Sequence, residues 1–146
     1  LIPLEVSRVA IYLIRNPLDV ALSFANHNGQ GVQDTIDKYL CNPQGAMVKQ
    51  FKAGNQTKQL LGTWTMHVDS WISQSQIPVC VLRYEDMKDK PLETFCQAVE
   101  VMGLPYTEQQ IQKAVELTQF ELLKAQEKEK GFKEKAIRAT SFFNQG

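Results

Sequence analysis

An arginine and a serine flank the point where an apolar run gives way to a helical pattern. The stretch YLIRNPLDVALSF, residues 12–24, places Arg15 at the end of the run and Ser23 eight residues later, beyond an Asn-Pro pair. A guanidinium is a planar donor fork that suits phosphate or sulfate, and the free N–H groups of a helix N-terminus attract the same anions. The pattern predicts a local anion site containing Arg15 and Ser23. An ion pair from Arg15 to Asp19 or Glu85 is the alternative.

Tyr84 stands at the end of a second apolar run. Residues 78–82, PVCVL, are followed by the charged cluster RYED, in which Tyr84 is the second residue. Ligands of open α/β sheets bind beyond the carboxyl ends of the strands. If the two runs are neighbouring strands, we expect Arg15 and Tyr84 to point into one crevice.

The elements that must position these residues follow the order strand, helices, strand, helices. Both apolar runs lack polar alternation and contain β-branched residues, which is typical of parallel strands covered on both faces. Asn16 and Pro17 are N-cap and first-turn residues, and Thr107 with Gln110 forms a capping-box pattern. We expect strands at residues 9–14 and 78–82. We expect helices at residues 17–28, 31–41, 62–73 and 91–102, and from 107 through Thr118 toward Leu122. The charged segment 124–135 is predicted to be a solvated helix end or a mobile loop.

The fold class predicted from this order is α/β. Two strands make too small a sheet for a domain of this composition, so we expect further strands upstream of Leu1 and a partial domain over residues 1–146.

Composition narrows the function classes. The 146 residues are 43% hydrophobic and carry 16 basic and 16 acidic side chains, so a basic surface for nucleic acid or membrane is not expected. Cys41, Cys80 and Cys96 match neither a zinc nor a redox spacing and read as free thiols of a reducing compartment, which predicts a cytoplasmic protein without a metal site. No signal peptide or long apolar span is present in these residues.

Several segments together resemble the cytosolic-type sulfotransferases. They are YLIRNPLDVALSFANH, GTWTMHVDSW, VCVLRYEDMKDKPLETF, LTQFELLKAQE and RATSFFNQG, in the family's order and at plausible distances. The resemblance covers nearly the whole chain and implies the C-terminal, helix-rich part of a P-loop-like parallel sheet flanked by helices. It also implies transfer of a sulfuryl group from PAPS (3′-phosphoadenosine 5′-phosphosulfate) to a hydroxyl or amine of a small-molecule acceptor, with PAP (adenosine 3′,5′-bisphosphate) as the product.

The resemblance assigns roles to five cofactor-binding residues. Arg15 and Ser23 would bind the 3′-phosphate of PAPS, and Tyr84 would contact the adenine. Thr118 and Phe120, which match a family Thr-x-Phe, would hold the adenine from its other side.

Departures from the family pattern concern the catalytic parts. Asn144, Gln145 and Gly146 stand where the family has Arg-Lys-Gly, and the phosphosulfate loop and the general-base histidine are expected upstream of Leu1. His67, between two tryptophans, reads as a packed histidine, and His27 as a helix-end or acceptor-side residue, so neither is assigned to catalysis. We therefore expect the chain alone to be inactive.

Two alternatives remain open at this point. One is a fragment of a P-loop-type nucleotide kinase, in which Arg15 would serve a phosphate of ATP. The other is a non-catalytic helical interaction module. The resemblance leaves the acceptor and the oligomeric state open.

Overall fold

The computed structural model describes residues 3–47, 59–133 and 141–143. The residues divide into unit 1, Leu1–Arg15 with Gln76–Gly146, and unit 2, Asn16–Ser75. In chain order the elements are β1 (Ala10–Ile14), α1 (Pro17–Asn28), α2 (Val32–Thr35), a π-helical turn (Ile36–Leu40), β2 (Ala46–Met47), β3 (Gln59–Leu60), α3 (Trp64–Ile72), β4 (Val79–Arg83), α4 (Tyr84–Asp89), α5 (Pro91–Val101), α6 (Glu108–Leu117) and α7 (Phe120–Lys130).

The two apolar runs form the neighbouring parallel strands β1 and β4 of unit 1, as predicted. Their register places Ile11 opposite Cys80 and Leu13 opposite Leu82. Cys80 and Leu82 pack with Ala98 of α5 in a buried apolar cluster, and Ile11 lies against it. The α/β class and the parallel pairing are therefore confirmed.

The prediction that both strands are covered on both faces holds only in part. Tyr12 on one face and Cys80 and Leu82 on the other are buried. Leu13 is nevertheless 58% exposed and Val81 is 36% exposed. An apolar run indicates which residues avoid water but does not fix how many layers lie over each one.

The helices after β4 are held to each other by a buried threonine. Thr94 of α5 donates its hydroxyl hydrogen toward the carbonyl oxygens of Lys90 at 2.8 Å and Asp86 at 3.1 Å. Because Thr94 is 5% exposed, these bonds compete little with water. They fix α4, and with it Tyr84, relative to α5.

The capping box at the start of α6 is present as predicted. The Thr107 hydroxyl oxygen accepts from the Gln110 backbone N–H at 3.3 Å, and the Gln110 side chain accepts from the Thr107 N–H at 2.8 Å. The stretch toward Leu122 is not one helix, however. Thr118 and Gln119 leave the helical conformation, with ψ angles of 17° and 138°, and α7 begins at Phe120.

Unit 2 begins with the predicted helix α1. The Asn16 side chain accepts from the Leu18 N–H at 3.0 Å, Pro17 occupies the first turn, and Gly29 ends the helix in the left-handed conformation at φ 61°. Ala21 and Ala25 are buried. β2 pairs with β3 in antiparallel register, and residues 48–58 between them lie outside the described residues.

Candidate functional site

Arg15 and Tyr84 meet at the carboxyl ends of the two parallel strands. Ile14 lies opposite Arg83 in the register, so the next residue of each chain segment leaves the sheet at the same edge. The Cζ atom of Arg15 lies 4.2 Å from the centroid of the Tyr84 ring. This distance is well inside the range of a cation–π interaction. The expectation that Arg15 and Tyr84 lie together beyond the strand ends is confirmed, and that they point into one crevice stays a prediction.

Helix α4 adds a second cation to the same ring. The Nζ atom of Lys88 lies 6.0 Å from the centroid of the Tyr84 ring, because residues four apart share a helix face. Sequence reasoning missed Lys88, although its spacing from Tyr84 is the signal that would have found it. Arg83 instead pairs with Glu85 at 3.7 Å in a largely exposed position, where such pairs contribute little stability.

Ser23 is an exposed residue in the second turn of α1. It follows Asp19 by four residues, so the two lie on the same side of that helix. Ser23 belongs to unit 2 and Arg15 to unit 1. Their joint contact with one anion stays a prediction.

Thr118 and Phe120 lie on either side of the break between α6 and α7. The Thr118 hydroxyl donates to the Ala114 carbonyl at 2.7 Å and ends α6. Phe120 is the first residue of α7, and its side chain is half-buried. The helix break therefore places a threonine oxygen and a phenyl ring two residues apart at one helix junction.

Phe120 belongs to an aromatic cluster, which we define as Phe120, Phe132, Phe142 and Phe143. The ring centroids of Phe120 and Phe143 are 6.1 Å apart at an interplanar angle of 78°, and those of Phe132 and Phe142 are 4.4 Å apart. The Phe120–Phe143 pair is edge-to-face, while the Phe132–Phe142 pair is tilted at 41°. Edge-to-face pairs stabilise beyond the area that they bury. Sequence reasoning noted the pair at 142–143 as part of the resemblance but missed Phe132.

The same cluster is held by a carboxylate of α7. Glu127 accepts hydrogen bonds from the backbone N–H groups of Phe142 and Phe143, at 2.7 Å and 3.0 Å. The charged segment 124–135 is predicted to be a solvated helix end or a mobile loop. Its residues up to Lys130 form the largely exposed C-terminal half of α7, which agrees with a solvated helix end. Glu127 differs from its exposed neighbours because it binds backbone N–H groups. Asn144, Gln145 and Gly146 lie outside the described residues.

The two histidines occupy ordinary helical positions. His27 lies in the last turn of α1, stacked with the ring of Phe24 at a centroid distance of 6.3 Å. His67 is half-buried in α3, and burial lowers its pKa from the ordinary value of 6.5. These positions give no reason to assign either residue to catalysis.

The described residues contain no cluster of three or more His, Cys, Asp or Glu side chains that could hold a metal ion. In the same ranges, no helix is long and apolar enough to cross a membrane.

A family model described as the sulfotransferase domain matches residues 7–146, which include both units. The chain belongs to the sulfotransferase domain family. Dog sulfotransferase 1B1 is 29% identical over 119 residues, an alignment that covers 78% of this chain and 36% of the relative. Rat sulfotransferase 2A1 is 27% identical over 119 residues, covering 78% of this chain and 38% of that protein.

Solved structures show the same fold. A crystal structure of mouse sulfotransferase SULT7A1 complexed with PAP superposes with a TM-score of 0.61 at 19% identity, covering 93% of this chain and 46% of the mouse chain. Retinol dehydratase, solved with androsterone and the inactive cofactor PAP, gives a TM-score of 0.61 at 22% identity, covering 92% of this chain and 39% of the other. The chain thus spans less than half the length of these proteins and shares their α/β, P-loop-like architecture.

Proposed function

We propose that the protein transfers a sulfuryl group from PAPS to a hydroxyl or amine of a small-molecule acceptor. This chain supplies the half of the site that binds the 3′-phosphate and the adenine. Arg15 and Ser23 take the 3′-phosphate, and Tyr84, Thr118 and Phe120 take the base. The match to the sulfotransferase family favours this assignment over a nucleotide kinase, and the choice between an enzyme and a non-catalytic module rests on the ligand tests below.

The observation that carries the proposal is the guanidinium of Arg15 over the ring of Tyr84, 4.2 Å from its centroid. The aromatic face restrains the Arg15 side chain, which would otherwise sample many rotamers. A restrained guanidinium loses less conformational entropy when it binds a phosphate. The charge stands at the carboxyl end of paired parallel strands, where ligands of open α/β sheets bind. A chain with no net charge can thus still hold an anion locally.

The adenine side of the proposal rests on the α6–α7 junction. Because the Thr118 hydroxyl hydrogen is directed to the Ala114 carbonyl at 2.7 Å, its oxygen is left to act as an acceptor. The exocyclic amine of adenine is a donor and fits that oxygen. The half-buried ring of Phe120 supplies a stacking surface for the base.

The chemistry of the transfer explains why such a site matters. The acceptor oxygen or nitrogen forms a bond to sulfur while the bond from sulfur to the nucleotide phosphate oxygen breaks. The proton of the acceptor passes to a general base, which none of the residues assigned here supplies. PAP leaves with the negative charge of the broken bond. Fixed cations and oriented donors that hold PAP lower the barrier through positioning and electrostatic stabilisation.

The two solved structures support PAPS and PAP as the ligands of the proposed site. Both solved structures contain PAP, and one also contains androsterone, which is a small molecule with a hydroxyl group. The three cysteines of the chain are free thiols, which supports placement in the reducing cytoplasm.

A titration of the full-length protein with PAP, AMP and ATP tests the proposal. PAP and AMP differ only in the 3′-phosphate, so we expect the wild type to prefer PAP by at least about tenfold, as a charge-assisted bidentate contact would give. Arg15→Ala should remove most of that preference. Arg83→Ala is the matched control, because Arg83 ends the neighbouring strand but pairs with Glu85 in solvent.

Equal binding of PAP and AMP by the wild type would refute the 3′-phosphate site. Tighter binding of ATP than of PAP would restore the kinase alternative. Failure to bind any of the three nucleotides would favour the non-catalytic interaction module.

A further inference from the structure

We infer that Glu127 is a positioning residue of the adenine site: its carboxylate holds the backbone of Phe142 and Phe143 so that the aromatic cluster stays packed on Phe120. The inference rests on the proposed function, in which Phe120 stacks on the adenine. Neither the family assignment nor the resemblance gives Glu127 a role.

Both oxygens of the Glu127 carboxylate are used. Oε1 accepts from the Phe142 N–H at 2.7 Å, and Oε2 accepts from the Phe143 N–H at 3.0 Å. Hydrogen bonds to an ionised acceptor are shorter and about twice as strong as neutral ones. Two such bonds to consecutive N–H groups fix both the position and the direction of this backbone segment.

The geometry of α7 connects the two hydrogen bonds of Glu127, which we call the tether, to the adenine site. Phe120 and Glu127 are seven residues apart, with Lys124 between them, so all three lie along one face of the helix. Lys124 contacts the Phe120 ring on that face, with its Nζ atom 5.5 Å from the centroid of the ring. A segment held by Glu127 therefore runs beside the same helix face that carries Phe120.

Ring contacts transmit the position of the segment. The centroids of Phe142 and Phe143 are 5.0 Å apart, Phe143 is 5.2 Å from Phe132, and Phe143 is 6.1 Å from Phe120. Since Phe143 contacts all three other rings, a shift of its backbone changes the packing of every member. Loss of the tether would leave Phe120 without the neighbour that orients it for stacking.

The test compares Glu127→Gln with Glu129→Gln in the full-length protein. Glutamine keeps the shape but removes the charge and one of the two acceptor oxygens. Glu129 is exposed on the same helix, so its substitution controls for the change in charge. Affinities for PAP and AMP are measured by calorimetry, and the exchange of the Phe142 and Phe143 amide hydrogens is measured without ligand.

We expect Glu127→Gln to weaken PAP and AMP alike, by about three- to tenfold, which is the range that one ordinary hydrogen bond gives. Both amides should exchange faster in this variant, while Glu129→Gln leaves affinity and exchange unchanged. Glu127→Asp, which keeps the charge but shortens the reach, should give a smaller loss.

The readouts separate this inference from the proposed function. Arg15→Ala changes the ratio of PAP to AMP affinity, whereas Glu127→Gln changes both affinities and keeps their ratio. A wild type without preference for PAP refutes the 3′-phosphate site, while weaker AMP binding by Glu127→Gln would still support the tether. Nucleotide affinities within twofold of wild type, unchanged amide exchange, or an equal loss in Glu129→Gln would each overturn the role of Glu127.

Discussion

The contact between Arg15 and Tyr84 places a cation on an aromatic face at the end of the parallel sheet. Each residue follows the end of a strand, and the parallel register brings the two strand ends together. The cation then rests on the aromatic face. Neither residue has to be moved into place by a loop, so the position of the charge follows from the sheet.

We predict that the ring of Tyr84 matters more than its hydroxyl group for holding Arg15. Tyr84→Leu should weaken PAP binding by about three- to tenfold, because a cation–π interaction contributes about 0.5 to 2 kcal/mol. Tyr84→Phe keeps an aromatic face and should lose less. Calorimetric titration with PAP gives both values, and an equal loss in the two variants would assign the effect to the hydroxyl instead.

At this scale the sequence predicted part of the site. Arg15 and Tyr84 were predictable because each directly follows an apolar run, and the end of a run needs no tertiary information. Lys88 and Glu127 were not identified, since surface charges at helical spacing are common and most of them only face water. What distinguishes Glu127 is a partner far along the chain, which no local pattern contains.

At the scale of elements, the residues typical of helix ends predicted the structure most reliably. Asn16, Gly29, Thr107 and Gln110 all act where their side chains or backbone freedom predicted. The break at Thr118 and Gln119 was missed, because apolar spacing continues across it toward Leu122. Its physical reason is visible in the structure: the Thr118 hydroxyl bonds to the Ala114 carbonyl and Gln119 takes an extended conformation.

The end of α7 depends on a glycine that no other residue replaces without strain. Gly131 has φ 73° and ψ 176°, a region used almost solely by glycine, and forcing another residue there costs about 1 to 3 kcal/mol. We predict that Gly131→Ala lowers the free energy of unfolding by that amount and weakens PAP binding, because Phe132 of the aromatic cluster follows directly.

Lys130→Ala is the control for this prediction, since Lys130 is exposed and helical. Urea unfolding and PAP titration of the two variants provide the measurements. If Gly131→Ala behaves like Lys130→Ala, the backbone at this turn is not what orders the cluster.

At the scale of the whole molecule, stability should depend on pH through His67. Burial lowers the pKa of His67 from its ordinary value of 6.5, so the folded state takes up the proton less readily than the unfolded state does. Between pH 6.5 and the lower folded pKa, the unfolded state therefore binds more protons than the folded state. The free energy of unfolding falls as the pH decreases through that window and levels off below the folded pKa. Above about pH 6.5 this contribution is constant.

His67→Asn should remove this dependence and flatten the profile in that range. Urea unfolding of the full-length protein from pH 8 to pH 5 is the measurement. A variant whose stability still falls as steeply as that of the wild type would show that another group carries the effect.

The parallel pairing of β1 with β4 also has a kinetic consequence. Residues of β4 meet Ala98 of α5 after a short stretch of chain, whereas Ile11 reaches the same cluster only when a loop containing all of unit 2 has closed. Long loops cost entropy before their contacts form, and distant strand pairs are slow to assemble. We therefore expect the local half of this core to form early in refolding, and the pairing of β1, which brings Arg15 to the Tyr84 ring, to be among the last events.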